Sequence, residues 1–318
     1  MRCYFAPMEG VTGAAFRRVH RRFFPEADRY YMPFISPTQD HCFTPRERRE
    51  ILPEHNEGVP AVPQLMTHNA EDFLWAAGEL KAMGYGEVNL NLGCPSGTVT
   101  AKKKGAGFLS VPDQLDAFLD EVFSRTELPI SVKTRLGMHD PEEFPRLLDI
   151  FCKYPIAELT IHPRVRQDFY RHPVRLDAFA AALERYRGQV CYNGGLVTAA
   201  DCGDIAARFP RITAVMLGQG LLANPALIRQ AKGGAPIGRE ELKAFHDALY
   251  GEYCRRFQSP KNAAFHLKEL WHYMICLFDG HERLAKQLRK TQDGPSYERV
   301  VEEIFRTLPL RRDAQKEW

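Results

Sequence analysis

Eight short stretches of this chain read as β-strands, and the spacing of most leaves room for a helix before the next. They are Cys3–Ala6, Ala27–Phe34, Ala61–Met66, Glu87–Leu92, Ile130–Thr134, Glu158–Ile161, Gln189–Tyr192 and Ala214–Leu217. Between them lie patterns such as Ala70–Met83, with Phe73, Leu74, Ala77 and Leu80 along one stripe, and Pro112–Phe123, with Leu115, Phe118, Leu119 and Val122. Apolar residues three and four apart mark a helix face laid on a core. Strand and helix alternating eight times predicts an α/β fold, a closed parallel (β/α)8 TIM barrel. An open doubly wound sheet would want Gly-x-Gly-x-x-Gly after its first strand, where this chain has Pro7-Met8-Glu9-Gly10.

A barrel of this kind takes about 250 residues, so a chain of 318 leaves a small remainder. From Gly233 to Gly238 the chain runs Gly-Gly-Ala-Pro-Ile-Gly, a turn-rich linker beyond which strand-like alternation does not return. The division expected is a barrel over 1–235 and a small all-α helical bundle over 239–318. Its helices are predicted at Arg239–Phe257, Pro260–Phe278, His281–Thr291 and Tyr297–Thr307. Along Pro260–Phe278, Phe265, Leu267, Leu270, Tyr273, Met274 and Leu277 claim the buried side. Lys261, His266, Lys268 and His272 are left as a candidate basic recognition face.

Hydrophobic content of 44% and charged content of 26% suit a soluble globular protein. No stretch reaches the roughly 18 apolar residues that span a bilayer, and Met1–Pro7 carries no leader pattern, so a cytoplasmic protein without membrane contact is expected. The eight cysteines are scattered, without Cys-x-x-Cys or Cys/His grouping, which argues against a disulfide framework and a metal. A net charge of +3 decides nothing by itself. Local clusters at Arg17-Arg18 with Arg21-Arg22, Arg46 with Arg48-Arg49, Lys102–Lys104 and Arg311-Arg312 could meet phosphates, although solvated surface is the commoner use of each.

The residues at strand ends are the candidates for chemistry, although a lone thiol such as Cys94 is as often an inert cysteine that packs as a small hydrophobe. Val88, Leu90 and Leu92 alternate with Asn89 and Asn91 until Gly93 and Pro95 end the strand, which sets Cys94 where strand gives way to loop. In a parallel barrel that end is the one where reactions are done. Lys133 and Arg135 stand at the fifth strand end, His162 and Arg164 at the sixth, Asn193-Gly194-Gly195 at the seventh and Gly218-Gln219-Gly220 at the eighth. A lysine within Ile-Ser-Val-Lys-Thr-Arg is costly to bury without an anionic or polar partner, and a negatively charged ligand is the economical explanation. The glycine turns after the last two strands suit a phosphate, since glycine lets backbone N–H groups close on its oxygens. Gly105-Ala106-Gly107 reads instead as loop flexibility beside the lysine cluster.

Taken together, Ala6-Pro7-Met8-Glu9-Gly10, Gln64-Leu65, Asn89-Leu90-Asn91-Leu92-Gly93-Cys94-Pro95, Val132-Lys133-Thr134-Arg135, His162-Pro163-Arg164, Asn193-Gly194-Gly195 and Gly218-Gln219-Gly220 resemble the tRNA-dihydrouridine synthases. These are FMN enzymes that reduce uridines of tRNA with NADPH. The resemblance implies that Pro7, Met8, Glu9, Gln64, Lys133, His162, Asn193, Gly194, Gly195, Gly218 and Gln219 hold FMN and that Cys94 is the proton donor. It further implies that Asn91 and Arg135, with Arg164 and Lys268 beyond them, contact the RNA substrate, and that the helical unit grips tRNA. A metal-free monomer using NADPH or NADH is expected.

Three motifs depart from the family's pattern. Gly218-Gln219 stands where Gly-Arg is usual, so a guanidinium contact to the FMN phosphate is absent and weaker flavin binding is expected. His162-Pro163-Arg164 replaces His-Gly-Arg or His-Ala-Arg, and Asn193-Gly194-Gly195 replaces Asn-Gly-Asp. Two other readings compete: an FMN barrel acting on a free pyrimidine, as dihydroorotate dehydrogenases do, and a catalytically idle barrel that binds RNA. The helical remainder argues against the first, because a small diffusing substrate needs no such platform.

Overall fold

The computed structural model describes residues 1–317. At its centre is one all-parallel sheet of nine strand segments: β1 (Arg2–Phe5), β2 (Arg29–Tyr31), β3 (Ala61–Val62), β4 (Gln64–Leu65), β5 (Val88–Leu92), β6 (Ile130–Arg135), β7 (Leu159–His162), β8 (Val190–Asn193) and β9 (Ala214–Leu217). They are ordered β3-β2-β1-β9-β8-β7-β6-β5-β4. The two end segments, β3 and β4, are halves of one stave divided at Pro63, which has no N–H to give to a ladder. The chain itself therefore joins the ends of the sheet, and the barrel closes with eight staves. Across the seam, Ile35 N donates to Gln64 O and Met66 N to Ile35 O, both at 2.8 Å. The expected strand Ala27–Phe34 contracts to Arg29–Tyr31, because Pro33 stops pairing just after Met32 N has reached Val62 O.

The period of two along each strand sorts side chains between barrel interior and helices. Cys3 and Phe5 join the large core beneath the helices, whereas Tyr4 and Ala6 turn inward to Tyr31, Val62, Cys191 and Met216. Asn89 and Ser131, polar and inside the barrel, find partners. Asn89 Nδ2 donates to Ser131 Oγ at 2.9 Å, Ser131 Oγ donates to Glu87 Oε1 at 2.6 Å, and Arg29 reaches Glu87 Oε2 at 2.7 Å.

Outside the staves, helix Ala70–Ala82 starts at Asn69, whose side chain accepts from Asp72 N, and it buries Phe73, Ala77 and Leu80. Helix Pro112–Arg125 begins on proline, whose fixed φ suits a first turn, and buries the four residues anticipated for it. Each such side chain contributes about 1.5–3 kcal/mol on burial.

Beyond the linker the chain is helical: Arg239–Phe257, Pro260–Met274, Glu282–Lys290 and Gly294–Thr307, with a 3-10 turn at Ile275–Leu277. Phe245 is wedged among the rings of Phe16, Phe23 and Phe24, which ties this region to helix Ala14–Phe23 of the barrel. At the centre of the bundle, Trp271 Nε1 donates to Tyr297 Oη at 2.9 Å, and Tyr297 lies 2.7 Å from His246 Nε2. The buried face of Pro260–Met274 is Ala263, Ala264, Leu267, Leu270, Trp271 and Met274. Phe265, anticipated inside, is exposed, and Trp271 occupies the core in its stead. Among the described residues no helix is long and apolar enough to cross a membrane.

Candidate active site

The C-terminal ends of the staves open on a cavity of about 280 Å³, lined by Pro7, Met8, Glu9, Gln64, Asn91, Cys94, Lys133, Arg135, His162, Arg164, Asn193, Gly194, Gly195, Gly218 and Gln219. Register explains the convergence. Lys133 lies opposite Asn91 on β5 and Thr160 on β7, and Arg135 lies opposite His162. Residues far apart in sequence are thus set side by side by strand pairing alone.

Cys94 is half-buried at the cavity wall, on a loop held from several sides. The side-chain carbonyl of Asn91 accepts from the amides of Gly93 and Cys94, both at 2.9 Å. Arg135 Nε donates to Gly93 O at 2.9 Å, and Arg166 Nε donates to Pro95 O at 3.0 Å. Asn91 Nδ2 in turn donates to Gln64 Oε1, and Gln64 Nε2 to Asn89 Oδ1, both at 2.7 Å. The loop therefore rests on an amide relay that runs down into the barrel. Burial, the largest influence, raises the Cys94 thiol above its ordinary pKa.

Gly105-Ala106-Gly107 is not a flexible loop. It forms a buried 3-10 turn, Gly105–Ser110, against this cysteine. A Cβ at Gly105, whose φ is +55°, would lie 2.9 Å from Cys94 Cβ, and one at Gly107 would lie 2.5 Å from Thr100 O. Close packing, not mobility, requires those glycines.

Electrostatically the wall is positive. Burial, and after it the neighbouring Arg135, lower the Lys133 pKa to about 8. His162 is pushed well below its usual value, first by burial and then by Arg135, Lys133 and Arg164. Arg164 Nη1 lies 2.8 Å from His162 Nε2; guanidinium only donates, so Nε2 accepts and the neutral ring keeps its proton on Nδ1. Among the described residues Glu9 is the one carboxylate in the cavity lining, and it is ion-paired with Arg46.

On the adjoining strands, Asn193 Nδ2 donates to Met216 O at 2.8 Å and binds the last two staves together. Gly194 has φ +130°, and a Cβ there would meet His162 Cδ2 at 2.8 Å. At Gly220 a Cβ would lie 2.1 Å from Leu196 O, so the two glycine turns approach more closely than any other residue allows. A cradle of glycine backbone facing an excess of positive charge fits a flat, phosphorylated, anionic ligand.

Residues 4–292 match the dihydrouridine synthase (Dus) family. The chain belongs to that family. It is 28% identical over 314 residues to a probable tRNA-dihydrouridine synthase of Staphylococcus aureus (strain COL), covering 94% of this chain and 92% of that protein. It is 29% identical over 324 residues to a probable tRNA-dihydrouridine synthase 1 of Synechocystis, covering 96% and 86% respectively. Among solved structures, morphinone reductase superposes with a TM-score of 0.52 at 14% identity, over 74% of this chain and 86% of that one. The old yellow enzyme from Trypanosoma cruzi gives 0.50 at 12% identity, over 74% and 89%. These two share the barrel fold.

Several residues anticipated as RNA contacts in this dihydrouridine synthase family member are engaged elsewhere. Lys268 donates to the carbonyls of Thr291 and Arg289 at the end of helix Glu282–Lys290 and lies outside the cavity; helix-end carbonyls need donors, and this ammonium is theirs. His266, from the same anticipated face, packs edge-on against Tyr253. Arg17 is fully buried, bonded to Asn56, Glu50 and Thr12 O, and Arg311 pairs with Asp279. Arg135 is also spoken for: Nη1 donates to Val165 O and Phe169 O, so the residue clamps the Cys94 loop to the loop after β7.

Sequence reading missed Tyr170, Arg166, Tyr273 and Lys316. The Tyr170 ring stacks 6.0 Å from His162 and carries the Arg135 guanidinium at 5.3 Å. An adjacent aromatic pair, Phe169-Tyr170, among basic residues was the available signal.

Proposed function

We propose that this protein reduces uridines of tRNA to 5,6-dihydrouridine, with FMN as its flavin and NADPH or NADH as reductant. One observation carries the reading: in a dihydrouridine synthase family member, a protonated thiol and a cation-rich, glycine-edged wall line the same cavity at the barrel mouth. FMN, when bound, supplies hydride to C6 of the pyrimidine and is replenished from the reduced nicotinamide.

The chain's own task is then the proton. Hydride at C6 leaves negative charge spread over C5 and O4, and Cys94 delivers the proton to C5. Its burial serves that role, since a raised pKa keeps the sulfur protonated at neutral pH. Asn91 and Arg135 hold the loop that aims it. Lys133, still largely ammonium at neutral pH with a pKa of about 8, answers the negative charge that reduction brings to the site. Pro7, Met8, Glu9, Gln64, His162, Asn193, Gly194, Gly195, Gly218 and Gln219 form the remainder of the flavin's surroundings; burial above all keeps His162 neutral, and Arg164 donates to its Nε2.

A uridine stacked within tRNA must be turned out of its stack to enter a barrel mouth. A second cavity of about 530 Å³ adjoins the first at Glu9, Pro33 and Phe34, and it is lined by Arg46, Arg49 and Arg256 together with Glu47, Glu50 and Glu269. Its charges are mixed, so the reading that the 239–318 unit grips tRNA together with the mouth rests on the family, and the affinity is expected to fall steeply as salt rises.

The test has two parts. Purified protein is expected to be yellow, absorbing near ~450 nm as oxidised flavins do. Cys94→Ala is expected to leave flavin reduction by NADPH intact while slowing single-turnover dihydrouridine formation about 100-fold or more. Unchanged product formation in that variant would remove the thiol from the reaction.

A further inference from the structure

The phosphate end of the cavity lacks a cation on its own strands. Lys133 and Arg135 belong to β6, and Arg164 follows β7, where it bonds the His162 ring that packs on Gly194; none of the three comes from the turn after β9. Gln219, at the turn itself, is uncharged, and its side chain hydrogen-bonds to Tyr273 of the helical region. A phosphate dianion bound at the turn after β9 would have backbone amides and no cation from that turn, although Arg164 stands on His162 beside Gly194.

The segment after the last helix supplies one. Leu310 bridges to Phe278, Arg311 N donates to Leu277 O at 2.7 Å, and Gln315 N donates to Cys276 O at 3.2 Å. These bonds lay the tail along the 3-10 turn Ile275–Leu277, which packs on the short helix Gln219–Ala223 that begins at the phosphate turn. Ala314 is buried beneath it. The residue after Gln315 is Lys316, and it lines the cavity with Gln219 and Gly220. Its neighbour Glu317 is occupied by Arg311 at 3.3 Å and His281 at 3.4 Å. The Lys316 ammonium is thus left without an ion pair among the described residues.

We infer that Lys316, brought to the mouth by the tail, is the cation that meets the phosphate of the bound flavin. The inference rests on the FMN reading above and assigns to a distant segment the charge that the turn at Gln219 does not provide. It makes flavin retention depend on the docking of the tail against Cys276 and Leu277.

The experiment titrates wild-type and K316A apoprotein with FMN and, separately, with riboflavin, which has the same ring system and no phosphate. K316A is expected to weaken FMN binding about fivefold, the scale of a partly solvated ion pair, and to leave riboflavin binding unchanged. Adding Q219R to K316A is expected to restore FMN affinity, because a guanidinium at the turn replaces the lost charge. Equal FMN binding by wild type and K316A overturns the inference, as does an equal loss for both flavins, which would mark a disturbed tail. So does a K316A protein that keeps FMN but binds tRNA less well, which would turn the lysine toward RNA. A wild-type protein that binds neither flavin overturns the cofactor reading and this inference with it.

Discussion

The two ends of the barrel interior treat charge differently. At the base, charges come with partners: Arg29 with Glu87 at 2.7 Å, and Glu158 with Arg2 at 3.3 Å and the Thr213 hydroxyl at 2.6 Å. At the mouth, Lys133, Arg135, Arg164 and Lys316 share a lining with one carboxylate, Glu9, already bound to Arg46. Burying an ion is tolerable when a counter-ion comes with it and costly when none does. The base therefore contributes to holding the barrel, and the mouth carries an imbalance that the rigid staves sustain and an anionic ligand relieves.

Lys133→Met tests that contrast most sharply. FMN affinity of the apoprotein is expected to fall about tenfold to a hundredfold, the usual effect of losing a hydrogen bond to a charged group. Stability without ligand, followed by urea unfolding, is expected to hold or to rise, since the substitution removes an unpaired buried charge. A clear loss of stability would mean that Lys133 has a structural role and would erase the distinction between the two ends. The converse variant is Glu87→Ala. It leaves Arg29 and Ser131 without their acceptor and is expected to cost about 1–2 kcal/mol in the same unfolding experiment, with FMN affinity unaltered. A Glu87→Ala protein as stable as wild type would show that the pairs at the base are ornamental.

The same contrast explains which features the sequence discloses. Strand-end residues were legible because alternation fixes which side chains point inward, and a closed parallel barrel then forces Cys94, Lys133, His162 and Asn193 to one mouth whatever lies between them. The break at Pro63 was visible as a proline, but its meaning depends on Ile35 bridging from another segment. Charge type is written in the sequence and partnership is not. Arg17 reads like Arg46, yet Arg17 meets Asn56 and Glu50 in the interior while Arg46 lines a cavity. Trp271 and Phe265 are both apolar on one helix, and only packing against Tyr297 and Phe305 selects the first. Tyr170 and Lys316 arrive on a loop and a tail that have no periodicity to read.

The smallest effect is also the one with the most distinctive sign. With a pKa near 8 in the folded apoprotein against 10.5 as its ordinary value, Lys133 loses its proton in the native state first as pH rises. Between those values the unfolded chain binds the proton and the folded one does not, so stability of the apoprotein rises with pH through that window. Affinity for FMN moves the other way, because the ammonium that the ligand needs disappears through the lower value, and a fall of a few-fold between pH 7 and pH 9 is expected. One group thus drives two observables in opposite directions, and Lys133→Met should flatten both. Unfolding midpoints and FMN titrations over the same pH series check this. If both quantities fall together and the variant follows wild type, some other group titrates there, and the unpaired charge at the mouth is not Lys133.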